Sequence, residues 1–201
     1  MNLRSSAILC AVRAHGEHGA VVRLLTAEHG LLAAYVAGAR GRGLRAVLIP
    51  GNRVDVEIHV RGASQLPSAR VELLESRGAW LGEPLASAGI GWACALSAAT
   101  LPEGHPYPPL HDALAALLDA ICHAPSARGW ARALAAYEAL LLRELGYGLS
   151  GMPPADEAWA DLLDRLDRQG KAIGNRLLAD QRRDVMGLRA ILLDRLKRIA
   201  G

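Results

Sequence analysis

The chain has no phenylalanine, and only four tryptophans and four tyrosines among its 201 residues. Aromatic faces are the usual platform for unpaired nucleic-acid bases, at ~1–3 kcal/mol per base. Up to Trp80 the sole tyrosine is Tyr35, so a stacking platform is poorly supplied there. Lysine is nearly absent, with only Lys171 and Lys197. Arginine suits phosphate forks, but a GC-rich genome produces the same bias, so that preference carries little weight. Three cysteines, Cys10, Cys94 and Cys122, lie far apart with no C-x-x-C. Their spacing and odd number argue against a disulfide framework and a cysteine zinc site, and they read as small buried apolar residues. No apolar run reaches the ~18 residues of a membrane helix. The run Ala7-Ile8-Leu9-Cys10-Ala11-Val12, stopped by Arg13, is too short for a signal segment and reads as a first strand. The expectation is a cytoplasmic protein with no membrane association.

The marks of catalysis are also missing. There is no G-x-S-x-G, and Ser, His and Asp are scattered. Gly38-x-x-Gly41-x-Gly43 follows a strand-like run but lacks the Lys-Ser/Thr of a P-loop and the spacing of a dinucleotide turn. His15-Gly16-Glu17-His18 places both histidines on a turn without a third ligand, which reads as a solvated hairpin tip. Glu138 and Glu144, near Arg143, read as a solvated helix face. No catalytic residue, cofactor or metal is therefore expected.

What is present is an asymmetry of charge. Up to Trp80, ten arginines face six carboxylates, an excess of four positive charges; the remainder carries 13 basic against 14 acidic residues. A basic first half points to an anionic partner. Its positive charge gathers in Gly38-Ala39-Arg40-Gly41-Arg42-Gly43-Leu44-Arg45, a glycine-rich turn that lets Arg40, Arg42 and Arg45 approach phosphate closely. Arg23 and Arg53 are weaker candidates. The alternative is that these arginines only keep the surface solvated, and charge alone does not choose.

The chain divides near Trp80, into residues 1–80 and 81–201. Before it, five short strand-like runs are expected: Ser6 to Ala14, Ala20 to Thr26, Leu31 to Ala37, Arg53 to Arg61 and Ser68 to Glu75. In the fourth, Val54, Val56, Ile58 and Val60 alternate with Asp55, Glu57 and His59. Glycines punctuate the runs, and five such strands predict a small closed barrel, of which the OB-fold is one kind. After Trp80 the period becomes helical. One stripe holds Leu110, Leu114, Leu117, Leu118 and Ile121; another holds Trp130, Leu134, Tyr137 and Leu141; further stripes run through Leu162 to Leu166 and Val185 to Ile199. Pro102 to Pro109, Pro125-Ser126, Gly146 to Pro154 and Gly170 are taken as breaks. Ser126 and Asp184 are taken as N-caps. The fold class is thus α+β, a barrel followed by five or six helices in an irregular bundle.

Several segments resemble the RecO family of bacterial recombination mediators. They are Ala11 to Glu17; Leu24-Leu25-Thr26-Ala27-Glu28-His29-Gly30-Leu31-Leu32; Val36-Ala37-Gly38-Ala39-Arg40-Gly41; Pro50 to Val56; Tyr137-Glu138-Ala139-Leu140-Leu141-Leu142-Arg143-Glu144-Leu145-Gly146-Tyr147-Gly148; and Gly170-Lys171 with Arg176 and Leu178. Their order and spacing cover most of the chain. The resemblance implies an N-terminal five-stranded OB-fold barrel that binds DNA and a C-terminal helical domain that binds partners. It implies binding of single- and double-stranded DNA, strand annealing, and help in loading the RecA recombinase onto DNA coated by single-strand-binding protein (SSB). Two protein partners follow, RecR and the acidic C-terminal tail of SSB. For that tail, Arg128, Arg132, Lys171 and Arg176 are the candidate cations. The chain departs from the family in one place. Relatives carry a cysteine-bearing stretch, in some a zinc site, after the Leu-Gly-Tyr-Gly segment; here Leu149 to Glu157 passes without cysteine, and zinc is not expected. Other readings are an RNA-binding accessory factor using the same barrel, or a protein–protein adaptor without nucleic-acid affinity.

Overall fold

The computed structural model describes residues 2–60, 65–148, 151–179 and 185–199. Five strands, β1 (Asn2–His15), β2 (Gly19–Thr26), β3 (Gly30–Val36), β4 (Arg53–His59) and β5 (Ser68–Glu75), close into a barrel in the order β1-β2-β3-β5-β4. All neighbours are antiparallel except β3 and β5, which meet in parallel at Tyr35 and Ser68. This is the five-stranded Greek-key layout of an OB-fold. The strands coincide with the five runs expected from alternation; the N-terminal extension to Asn2 and the stop at His59 are the main differences, and Arg61 lies outside the described residues.

One long strand serves two neighbours. Asn2 to Ile8 of β1 pair with β4, and Ile8 to His15 pair with β2 across a bulge between Leu9 and Ala11. An inserted residue bends and twists a strand, and the bend lets β1 turn the barrel corner. The interior is filled by small and branched residues: Ala7, Leu9, Ala20, Val22, Leu24, Ala34, Val36, Val54, Val56, Ile58, Ala69 and Val71. A narrow barrel needs no aromatic plug, which accommodates the missing phenylalanine. Leu44, Val47 and Leu48, from the connection between β3 and β4, pack against the same core. That connection carries a single helical turn, α1 (Arg42–Arg45).

The helices are α2 (Pro84–Thr100), α3 (Pro108–His123), α4 (Ala127–Glu144), α5 (Trp159–Arg176) and α6 (Met186–Arg198), preceded by a 3-10 turn over Gly78–Gly82. The chain forms two compact units. The first comprises Met1–Gly82 together with Leu101–His111, and the second Glu83–Thr100 with Asp112–Gly201. The segment 101–111, placed with the helices in a simple division at residue 80, thus belongs with the barrel. Gly30 explains why. Its φ is +67°, and a Cβ there would overlap the backbone carbonyl of His105. Beside it Leu31 bridges to Glu103, and the Gly104 N–H donates to the Leu31 carbonyl at 2.9 Å.

Helix α2 has no stripe to find in the sequence. Gly89, Ile90, Trp92, Ala93, Cys94, Leu96, Ser97 and Ala98 are all buried, and a helix covered nearly all round has no polar face to set its period. Two expectations are corrected here. Gly170 is not a break; it lies inside α5 and is buried, and a side chain there would overlap the Arg189 guanidinium. Glu138 is not on a solvated face but fully buried. It accepts hydrogen bonds from Trp92 Nε1 at 2.8 Å, Arg189 Nε at 3.0 Å and Arg189 Nη2 at 2.8 Å, which ties α2, α4 and α6 at one point. Ser126 is the N-cap of α4 but makes no side-chain capping bond, and Asp184 lies outside the described residues. Cys10 and Cys94 are buried and Cys122 half-buried. No described helix is long and apolar enough to cross a membrane.

Candidate nucleic-acid interface

The arginine loop is held from beneath by apolar residues and by one amide. Gly38 takes a φ of +65°, and the Gly41 N–H donates to the Gly38 carbonyl at 2.9 Å, so the chain turns sharply as it leaves β3. Leu44 and Leu48 then anchor the connection to the core. Asn52, fully buried at the start of β4, donates through Nδ2 to the carbonyls of Ala46 at 3.0 Å and Val47 at 2.9 Å. Its Oδ1 accepts the Arg77 backbone N–H at 2.8 Å. The amide is saturated on both sides, so the loop's exit is fixed. Buried polar groups satisfied this way rigidify what they join.

On this support Arg40, Arg42 and Arg45 are all exposed. Arg45 Nε donates to the Arg40 carbonyl at 3.1 Å; among the described residues none of the three has a carboxylate within ion-pair distance. Their charge is available to an anion. The weaker candidates each have a carboxylate nearby. Arg23 donates to Glu103 at 2.8 Å and is mostly covered, and Arg53 stands 3.9 Å from Glu75. The loop places Arg40, Arg42 and Arg45 together; Arg23 is paired with Glu103, while Arg53 is exposed at the edge of ion-pair distance from Glu75.

A second feature adjoins this loop. Pairing puts Arg13, Val21 and Tyr35 in one row across β1, β2 and β3, Ala11, Arg23 and Ala33 in the next, and His15 opposite Gly19. Side chains directly opposite share a face, so this outer face carries Arg13 and Arg23 among small residues, with Tyr35 and His15 at one end. There a cleft of about 700 Å³ opens, lined by His15, Glu17, His18, Tyr35, Ala37, Leu66 and neighbours. It lies between the β1–β2 turn, the end of β3 and the approach to β5, the region where OB-folds bind oligonucleotides and oligosaccharides. Sequence reasoning identified Tyr35 as a lone aromatic and His15 to His18 as a hairpin tip, and missed that the barrel brings them together. The available signal was the register of a hairpin around Gly16-Glu17-His18, which sets His15 near the far end of a following strand.

The four cations expected to meet an acidic tail do not converge. Arg128, exposed on α4, lies over the Trp159 ring with 5.4 Å to its centroid. Arg132 Nη2 contacts the Glu157 carbonyl at 3.5 Å. Glu157 itself is held by Arg165 through bonds of 2.6 to 3.0 Å, and that hydrogen bonding raises the Arg165 pKa above its ordinary value against the opposing effect of burial. Lys171 and Arg176 are exposed near the other end of α5. Trp159 and Lys171 are twelve residues apart on that helix, about 18 Å at 1.5 Å per residue. Arg128 and Arg132 thus lie by the start of α5, and Lys171 and Arg176 toward its end. Arg165 also donates to the Gly151 carbonyl at 3.1 Å, so the shortened stretch before α5 is tied to that helix. Among the described residues no group of three His, Cys, Asp or Glu side chains could hold a metal ion.

Comparison with known proteins agrees with this architecture. The family model described as Recombination protein O N terminal matches residues 1–77, and that described as Recombination protein O C terminal matches residues 81–196. The chain is similar to the DNA repair protein RecO of Phenylobacterium zucineum, 42% identical over 150 residues, which cover 74% of this chain and 60% of that protein. It is 38% identical over 175 residues to the DNA repair protein RecO of Caulobacter vibrioides strain NA1000, covering 86% and 71%. Over 190 residues it is 37% identical to the DNA repair protein RecO of Rhodospirillum rubrum, covering 92% and 75%. The match to the Phenylobacterium protein spans less than two thirds of that relative's length. A five-stranded OB barrel followed by helices, matched in succession by the two halves of one family, establishes that this chain belongs to the recombination protein O (RecO) family.

Proposed function

We propose that this chain is a DNA-binding mediator of recombinational repair, not a catalyst, whose barrel grips the phosphate backbone of single- and double-stranded DNA through Arg40, Arg42 and Arg45. The observation that carries the reading is an exposed loop of three arginines, buttressed by Asn52 and the barrel core, with no described carboxylate to neutralise it. Guanidinium groups that replace the counterions of a polyanion bind without regard to sequence, and this binding weakens as salt rises. Neutralising the phosphates of two strands lowers their repulsion, which is what strand annealing requires. The similarity to DNA repair proteins supports the same assignment. The wider role follows the family: work in the cytoplasm with RecR, recognition of the SSB tail by the helical unit, and help for RecA on SSB-coated strands.

The test is a salt series of binding curves on a fluorescent single-stranded oligonucleotide, for the intact chain and for the Arg40→Ala/Arg42→Ala/Arg45→Ala variant. Each lost single-strand phosphate contact flattens the plot of log affinity against log salt by about 0.7, so the slope of the triple variant falls by about 2. Duplex affinity falls in parallel. Unchanged affinity and slope at low salt discard the loop, and tighter binding to structured RNA at matched salt moves the assignment to RNA.

A further inference from the structure

The cleft beside the loop has a chemistry of its own. It is lined by the apolar or aromatic residues Tyr35, Leu66 and Ala37 and by the polar residues His15, Glu17, His18, Gln65 and Ser68. No arginine or lysine lines it among the described residues. Its described lining suits a flat, mostly apolar ring with hydrogen-bonding edges.

The Tyr35 ring is held in place. The Tyr35 backbone N–H donates to the Pro67 carbonyl at 2.7 Å, which fixes β3 to the start of β5. The ring lies against the backbone of Gly19, so closely that a Cβ on residue 19 would overlap its Oη, Cε2 and Cζ. The His15 ring stands edge-on to it, with centroids 5.9 Å apart and planes at 78°. A ring seated this way loses little freedom when another ring stacks on it. Ala37 lines the cleft, and Arg40 follows three residues later. The two α-carbons are thus no more than about 11 Å apart, at 3.3–3.6 Å per residue, and a base in the cleft leaves neighbouring phosphates within reach of the arginines.

We propose that this cleft takes one unpaired nucleobase of a single strand, packed against Tyr35, and that it gives the barrel a preference for single-stranded over duplex DNA. The inference rests on the phosphate-binding reading above. Gln65 and Ser68 each offer both a donor and an acceptor, so they serve any base edge and make the site tolerant of sequence. A paired base lies inside the duplex stack and cannot enter. The volume of about 700 Å³ falls within the ~300–1,000 Å³ of small-ligand sites, enough for a base with its sugar. Gly19 determines the specificity, since only a residue without a side chain leaves room for the ring.

Three ligands separate the possibilities: a 20-residue oligothymidylate, an abasic oligodeoxyribose phosphate of the same length and charge, and a duplex, each bound at fixed salt. The intact chain should bind the base-bearing strand about tenfold tighter than the abasic one, the size of a single stacking contact. Tyr35→Ala should bring that ratio to about one while leaving abasic and duplex affinities and the salt slope unchanged. Tyr35→Phe should retain the ratio, and Gly19→Ala, which displaces the ring, should lose it. A ratio near one in the intact chain, or a Tyr35→Ala variant that weakens all three ligands equally, overturns the proposal. The loop variant answers the other question: if it binds all three ligands as well as the intact chain does while the base-to-abasic ratio persists, the phosphate reading fails and the cleft stands.

Discussion

The two units of this molecule use the same side chain in opposite ways. In the barrel unit, Arg40, Arg42 and Arg45 stand in solvent on one loop without a described carboxylate partner. In the helical unit, Arg189 is almost wholly buried, bonded twice to Glu138 and stacked over Trp92 with 5.7 Å to the ring centroid. An arginine's role is therefore set by whether a carboxylate waits for it, not by how many arginines a region has. Arg77 shows the inward use within the barrel unit too. It is 2% exposed, and its guanidinium donates to the Gly51 carbonyl at 2.7 Å. Stability and affinity should consequently separate cleanly under substitution.

The largest effect is expected inside the helical unit. Glu138→Ala leaves the Arg189 charge buried without its partner, which costs about 3–5 kcal/mol. Urea denaturation reads that loss, and the DNA affinity of the remaining folded protein should not move. The double change Glu138→Leu with Arg189→Met should recover only part of it: replacing both members of a buried pair by apolar residues is often neutral, but the buried Trp92 Nε1 then loses its acceptor, which keeps about 1–3 kcal/mol of the cost. A cost below about 1 kcal/mol for Glu138→Ala would mean that water reaches the pair. Next in size is Gly30→Ala, which combines left-handed strain with overlap on the His105 carbonyl. It should cost about 2–4 kcal/mol, together with faster hydrogen exchange in Leu101–His111.

The arginine-loop variant reverses the pattern. Its stability should stay within about 0.5 kcal/mol of the intact chain, as for surface substitutions in general. Its single-strand affinity should nevertheless fall by tenfold or more at low salt, measured by anisotropy. A loss of stability in step with affinity would show that the loop arginines are structural, and would remove the contrast between the units.

The fold was largely legible because each strand carries one buried face. Val54, Val56 and Ile58 are at most 3% exposed, as their alternation requires, and the glycines between runs mark the turns. What the sequence hides is contact at long range. Glu138 looks like any charged residue on an amphipathic helix until Trp92 and Arg189, 46 and 51 residues away, are brought onto it. Gly170 looks like a break because its partner is a guanidinium from the next helix. The loop arginines were legible because their signal is local. The cleft was not, since Tyr35, His15 and Leu66 meet only when the barrel closes.

The smallest effect is expected on the helical unit's surface, where two pairs of cations compete for the same expected partner. Arg128 is stacked on Trp159 and Arg132 leans on the Glu157 carbonyl, so both are already occupied in part. Lys171 and Arg176 are exposed at the far end of α5 and meet an acidic peptide with less rearrangement. Exposed ion pairs are worth about 0.2–1 kcal/mol each, so Lys171→Ala/Arg176→Ala should weaken a labelled acidic SSB-tail peptide by roughly two- to thirtyfold. Arg128→Ala/Arg132→Ala should weaken it by less. The opposite ranking would move the peptide to the start of α5, and undiminished affinity in both variants would take the acidic partner away from this helix altogether.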